Sequence, residues 1–359
     1  THPAIPSYTT SFSAIDPNDR EIPYAKTVAD HLGIPSLSTT PTAEEYLYGL
    51  VESISKTGEP LDHLQTVLLH LLYKRIGADG CDIVVCGQMA DTLSGDSMMT
   101  MFSKYQTVLK ILNSTHLNLP LRWAYNGLGL KHGRLEIMTH DFSDKIENNP
   151  QHIFWTLYRY ADHHMIETIF AKGGSKPYDG RVEFMKPYMK LGMYDRLTAL
   201  TFIGQAAHPL GQWCRLAEEC KIIFFYPFLI PELIEYQFKL PWQHKMDWNK
   251  PEPKHAFRTL MRQYGFPEQL ITRPKQSFGF SIDYWARPGA LFQPIADMAQ
   301  STYGAENLRT LQTGQTSQAM LYWTLLNLYL WDQLFRAKRS VDDLAGEILD
   351  RRKKLVTHK

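Results

Sequence analysis

The chain has 359 residues, with 38 Lys plus Arg against 37 Asp plus Glu and a formal net charge of +1. So balanced a chain has no bulk field to gather nucleic acid or anionic membrane, and an anionic partner must be held by a local arrangement of groups. A hydrophobic content of 44% is that of a globular protein, the length allows two domains or one with a large appendage, and no apolar run approaches the roughly 20 residues of a spanning helix.

Four cysteines, Cys81, Cys86, Cys214 and Cys220, fit neither a C-x-x-C zinc pattern nor a secreted disulfide framework, so structural thiols in a reducing, cytoplasmic setting are expected. The sequence opens on Thr1 with no charged and apolar targeting pattern, as expected of a processed chain or of part of a longer protein.

In chain order, residues 8–14 combine β-branched and aromatic side chains and predict a strand. Asp16 or Asn18 can cap the helix that follows, in which Ile22, Ala25, Val28, Ala29 and Leu32 recur at helical spacing until Gly33 stops it. Thr42 and Glu45 have the spacing of a capping box at the next helix, and a further helix is predicted over residues 61–76. The unbroken triplet Ile83, Val84 and Val85 suits a strand buried on both faces of a parallel sheet. Strand and helix alternate through residue 87, which predicts an α/β fold.

Beyond about residue 97, stretches such as "NPQHIFWTLYRYADHHMIETIF", "HAFRTLMRQYG" and "AMLYWTLLNLYLWDQLF" have helical period and little strand signal. Within them, "KIIFFYPFLIPELIEYQFKLP" reads as a short extended run and then a helix opening at Pro231, where proline is tolerated. "KMDWNKPEPKH" reads as a polar surface loop, and the final "DRRKKLVTHK" as a solvated basic helix end. The expected organisation is an α/β nucleotide-binding part over residues 1–110 and a mostly helical part over residues 111–359.

In open parallel sheets, ligands sit outside the carboxyl ends of the strands, where "VVCGQMAD" places Gly87, Gln88 and Asp91. Gly87 lets a phosphate or base approach the backbone, and Asp91 offers the hard oxygens that Mg²⁺ prefers. The plainer reading is that Gly, Asp and Ser after a strand make a turn. In "TRPKQSFGFSIDYWARPG", Lys275 follows a proline, and a lysine on so stiff an approach can serve as a fixed charge against phosphate. Its plainer reading is a surface lysine. His163 and Glu167 share a helix face, whereas His163 and His164 diverge, and no third ligand is evident, so a helix-surface or core-edge pair is favoured over a metal site. Met98, Met99, Met101, Tyr322, Trp323, Tyr329 and Trp331 are expected in the core. No Ser-His-Asp motif, Walker loop or GxGxxG is present.

Taken in order, "SFSAIDPNDREIPYAKTVADHLGI", "GEPLD", "VVCGQMADTLSG", "YPFLIPELIEYQFKLP", "ITRPKQSFGFSIDYW" and "YWTLLNLYLW" resemble the synthetase domain of asparagine synthetases. The relatives of that domain include β-lactam synthetases and lasso-peptide cyclases. The resemblance runs from about residue 11 to residue 336, and Arg-Pro-Lys-Gln-x-Phe-Gly is its most specific stretch. It implies a parallel-sheet, adenine-nucleotide-hydrolase-like (PP-loop ATP pyrophosphatase) domain followed by a large, mostly helical portion. It also implies an ATP- and Mg²⁺-dependent ligase that adenylates a carboxylate and passes the acyl group to an amine. On that resemblance, Asp91 is the metal-binding aspartate and Lys275 stabilises the adenylation transition state. Ser11, Phe12 and Ser13, with Cys86 and Gly87, lie against the adenosine.

The departures are as informative. Position 88 is Glu in asparagine synthetases and Tyr in β-lactam synthetases, whereas here Gln88 can orient a substrate but cannot take a proton near neutral pH. Thr92 replaces an acid, and Ile223, Phe225 and Ile230 stand where charged residues belong, which predicts a polar network rebuilt as packing. The family's Ser-Gly-Gly-x-Asp-Ser loop belongs before the strand at Tyr8 and is not in the sequence; "LSGDS" at 93–97 follows a different strand. The expected partners are therefore a small-molecule or peptide carboxylate, an amine, an upstream polypeptide carrying that loop or a glutaminase domain, and a second copy in a homo-oligomer. The rival expectation is a catalytically silent member acting as a binding or regulatory subunit. The lost acids favour it, and the retained Asp91 and Lys275 oppose it.

Overall fold

The computed structural model describes residues 5–13, 21–95, 186–203, 207–247, 252–273, 282–312 and 316–357. Strand β1 (Ser7–Thr10) lies parallel to β2 (Ser36–Thr39), Tyr8 opposite Leu37, with helix α1 (Glu21–Leu32) as the crossover. β1 stops short of the predicted residue 14 because Ser11 Oγ accepts the Ser13 N–H at 2.9 Å, a local turn that competes with the ladder. At the end of α1, Gly33 takes a φ of +65°, and the N–H groups of Gly33 and Ile34 reach back to Asp30 and Ala29. That pair of bonds is a Schellman closure, which needs a left-handed residue.

Helix α2 (Ala43–Thr57) opens with the predicted capping box: Glu45 N–H donates to Thr42 Oγ1 at 3.2 Å and Thr42 N–H to Glu45 Oε2 at 2.7 Å. Helix α3 (Gln65–Ala78) leads to β3 (Ile83–Val85), which pairs in parallel with β4 (Ile223–Phe225). Val84 and Phe224 face α3 and α6 (Ala207–Glu219), where Leu72, Tyr73, Trp213 and Leu216 form a core, Tyr73 and Phe224 having ring centroids 5.1 Å apart.

On the opposite face, Ile83 is 62% exposed, Val85 64%, Ile223 68% and Phe225 49%. This corrects two expectations. The β3 triplet is not buried on both faces, and the apolar replacements at 223 and 225, like the exposed Ile230, do not form a packed patch. Alternation along a strand is the reason, since only the middle residue of each triplet points at the helices.

The rest of the described chain is mostly helical, with α4 (Ala90–Ser94) after β3 and α5 (Met193–Thr201) before α6. After β4 come α7 (Pro231–Lys239), opened by its proline, and α8 (Trp242–Lys245). β5 (Met246–Asp247) and β6 (Glu252–Pro253) then form an antiparallel pair, so part of the predicted surface loop is ordered and Met246 is buried. The series ends with α9 (His255–Gln263), α10 (Glu268–Ile271), α11 (Ile282–Ala286), α12 (Gln293–Tyr303), α13 (Ala305–Gln312), α14 (Thr316–Phe335) and α15 (Val341–Thr357).

The largest core joins α2 to these last helices: Phe12, Tyr46, Leu50 and Ile54 are buried with Trp285, Phe292, Tyr322, Trp323, Leu330 and Ile348. Tyr329 is buried as predicted, while Trp331 sits at the core's edge and donates Nε1–H to Gly58 O at 2.9 Å. The "GEPLD" turn is held by buried amides: Gln212 accepts from Asp62 N–H at 3.0 Å and donates to Pro60 O at 2.9 Å, and Asn327 donates to Leu61 O at 2.6 Å.

The protein is thus mostly helical with small parallel sheets. Among the described residues no helix is long and apolar enough to cross a membrane, and no three His, Cys, Asp or Glu groups are placed to hold a metal ion. Met98, Met99, Met101, His163, Glu167 and the capping candidates Asp16 and Asn18 lie outside the described residues.

Candidate functional site

The site residues come from the carboxyl ends of two strands, β1 and β3, each of which belongs to its own small parallel sheet. β1 delivers Ser11, Phe12 and Ser13. Ser11 continues the ladder through its N–H to Thr39 O at 3.1 Å, and Phe12 turns its ring fully into the core, 4.4 Å from the Trp285 ring and 5.8 Å from that of Tyr46. Contact between residue 12 and a ligand therefore falls to its main chain.

β3 delivers Cys86, Gly87, Gln88 and Met89. A Cβ on Gly87 would meet nothing within 4 Å, so the glycine leaves open space beside the backbone. Burial raises the Cys86 thiol pKa against the opposing effect of a hydrogen bond from the Gln88 backbone, which keeps it a thiol rather than a nucleophilic thiolate. Gln88 is half-buried. Met89 takes a left-handed φ of +76°, a conformation that persists in a non-glycine residue only when its surroundings hold it, and here its side chain is buried in the α3–α6 core. That strained residue sets where α4 begins and hence where Asp91 stands.

The Asp91 carboxylate is paired with the Lys254 ammonium, and Lys254 N–H donates to Ser94 O at 3.0 Å. Lys254 itself has a left-handed φ of +64° and starts α9. One turn on, Arg258 donates to the carbonyls of Pro253, at 3.2 Å, and Ile271. Arg273 follows two residues after Ile271. It grips Glu21, at the start of α1, with its Nη2 2.7 Å from Oε1, and stacks its guanidinium 3.8 Å over the Tyr24 ring. Ion pairs, hydrogen bonds and the chain between Ile271 and Arg273 thus link Asp91 at the end of β3, through Lys254 and Arg258, to Glu21 beyond the end of β1.

Lys275 lies outside the described residues. The last described residue before it is Arg273, held at the α1 entrance. Lys254, Arg273 and Glu21 were not singled out from the sequence. Lys254 lay in a stretch that reads as a polar loop, and Arg273 was passed over for the lysine beside it. Lys245 was missed as well: it is buried, 5.8 Å above the Phe238 ring, and its desolvation lowers the ammonium pKa against the opposing charge of Asp195. Its carbonyl would sit 3.6 Å from a Cβ on Gly95, whose φ of +99° demands glycine.

Parallel strands with an acid and several cations gathered about their carboxyl ends define an α/β protein with a charged strand-end site. The family model described as Asparagine synthase matches residues 1–152 and 215–338, most of the chain. The protein belongs to the asparagine synthase family, a family of ATP-dependent amide ligases. Among curated proteins none matches it.

Proposed function

We propose that the protein is the synthetase part of an ATP-dependent ligase that adenylates a carboxylate and transfers the acyl group to an amine. The observation that carries this reading is the chain of contacts from Asp91 through Lys254 to Arg273 and Glu21. It supports a common site for Asp91 and Lys275 despite their separation in sequence.

ATP with Mg²⁺ would supply the activated phosphorus at which the carboxylate is converted into an acyl adenylate. The residues fit such a ligand: Asp91 is 44% exposed and offers hard oxygens, the space beside Gly87 is open, and cations stand within reach of phosphate. Asp91 would hold the metal, with Lys254 turning from it to a phosphate oxygen. Lys275 would hold the charge that develops on the phosphoryl oxygens. The main chains of Ser11, Phe12, Ser13, Cys86 and Gly87 would lie along the adenosine.

Gln88 would orient the acyl substrate or the nucleophile by donating and accepting hydrogen bonds. Having no base at that position, the site suits an amine that arrives unprotonated, such as ammonia. Residues 1–110 form the nucleotide-binding part in this reading and residues 111–359 the remainder. The Ser-Gly-Gly-x-Asp-Ser loop would come from a further segment of the protein or from a separate polypeptide. The apolar face of Ile83, Val85, Ile223 and Phe225 supports a covering segment of that kind, because parallel sheets are ordinarily covered on both sides. Half-buried free thiols at all four cysteines suit a cytoplasmic setting.

The test is pyrophosphate release from ATP and Mg²⁺ with a panel of carboxylates and amines, using the full natural protein. Turnover with at least one pair is expected, and Lys275→Ala should lower it about a hundredfold while leaving the thermal midpoint unchanged. Failure of the full protein to bind nucleotide would instead establish the silent, regulatory reading, for which the pairing of Asp91 with Lys254 is the structural argument.

A further inference from the structure

A second charged site lies at the other end of the β3–β4 pair. A groove of about 340 Å³ is lined by Glu52 and Lys56 of α2, His70 and Lys74 of α3, and Glu219 and Lys221 where α6 turns into β4. That volume is at the lower end of the roughly 300–1,000 Å³ of small-molecule sites. α3 leads into β3, residues 219–221 lead into β4, and the strands are parallel. The groove is therefore at their amino ends, whereas Gly87, Gln88 and Asp91 are at the carboxyl end. The two sites share strands but no residue.

His70 is 1% exposed, and its Nδ1 is 2.8 Å from the hydroxyl of the fully buried Ser53. A ring whose Nδ1 accepts the Ser53 hydroxyl proton carries its own hydrogen on Nε2, which has no hydrogen-bond partner among the described residues. Burial pushes the His70 pKa down to about 4, so the ring is neutral near pH 7. Around it stand two ion pairs, Lys74 with Glu52 and Lys56 with Glu219, the latter at 2.6 Å, and all four charges act on His70. Lys221 adds an exposed third cation. Gly77 keeps the wall thin, since a Cβ there would lie 2.8 Å from the Cys220 carbonyl oxygen.

The alternation of signs selects the ligand. A simple anion seated between the two ion pairs, rather than out against the exposed Lys221, takes a lysine from its glutamate and leaves a carboxylate unpaired beside it; a simple cation there does the converse. A molecule with a carboxylate and an ammonium on one carbon can insert into both pairs and leave all four of their charges matched. We propose that this groove binds a free α-amino acid, its carboxylate against Lys74, Lys56 and the His70 Nε2–H, its ammonium against Glu52 and Glu219.

Isothermal titration calorimetry and ¹³C-histidine NMR on the full chain test this, with the standard amino acids as probes and acetate and methylammonium as single-charge controls. Saturable binding of at least one amino acid is expected, with the His70 ring signals shifting in step. Both controls should bind at least about tenfold more weakly, and Lys74→Gln and Glu52→Gln should each weaken binding about tenfold or more. The His70 signals report on the unsubstituted protein, so the test does not depend on the variants folding. Four outcomes overturn the proposal: no saturable binding, acetate binding as tightly as any amino acid, binding that survives both substitutions in folded protein, or binding that leaves His70 unmoved and so belongs at the strand-end site.

Discussion

Phe12 separates a packing role from a ligand-binding one. It follows β1 among the residues expected to lie against adenosine, yet its ring is wholly buried between Trp285 and Tyr46. Truncating a buried Phe to Ala costs ~3–5 kcal/mol. Two ring pairs, each worth ~0.5–1.5 kcal/mol beyond the buried area, place Phe12→Ala near the upper end, at about 5 kcal/mol. Phe12→Leu keeps most of the apolar volume and loses chiefly the ring pairs, so about 1–2 kcal/mol is expected. Urea unfolding followed by tryptophan fluorescence reads both, Trp285 being the adjacent indole. Nucleotide titration of the folded Phe12→Leu protein should give wild-type affinity. A loss of affinity about tenfold or greater, with only that small stability loss, would mean that the ring faces the ligand and that the core assignment is wrong.

Below neutral pH, His70 should dominate the acid limb of stability. Its folded pKa, about 4, lies below the unfolded value of 6.5, so the unfolded chain binds the extra proton and stability falls as pH drops from about 6.5 to 4, by on the order of 3 kcal/mol. The urea midpoint measured across that window should slope less in His70→Asn, and equal slopes would refute the assignment. Gly77→Ala should cost about 1–3 kcal/mol, because its Cβ meets the Cys220 carbonyl, whereas Gly346→Ala, with open space beside it in α15, should stabilise by roughly 0.5–1 kcal/mol. Thermal melts of the two decide, and equal shifts would discredit the close approach at Gly77. Thr42→Ala removes half of the capping box and should lower stability by about 1 kcal/mol in denaturant titrations.

What the sequence made legible was local. Gly33, the pair Thr42 and Glu45, and Pro231 mark helix ends through their own backbone chemistry, and each does so in the structure. The β3 triplet was recognisable as a parallel strand because its three residues are apolar, but the count of apolar residues does not say what covers each face. The orientation of Phe12 was hidden for a similar reason: its partners Tyr46 and Trp285 come from distant segments, and only packing selects between core and ligand. Lys254 and Met89 adopt left-handed backbone without glycine, which no propensity anticipates. The pairing of Asp91 with Lys254, and of Glu21 with Arg273, joins charges across long stretches of chain, where periodicity carries no information.

The core shared by Phe12, α2 and the last helices governs how the protein is made. Tyr48 of α2 donates to Asp342 at 2.8 Å, and Arg352 Nε reaches Glu44 at 3.1 Å, so α15 is fastened to a helix translated long before it. A nascent chain that has just emerged as far as β3 holds one half of an apolar interface whose other half is still unsynthesised. Tyr46, Leu50 and Ile54 share a core with Val67 and Leu68 of α3 but also with side chains as far along as Ile348, so the packing of α2 is completed only when α15 has been made.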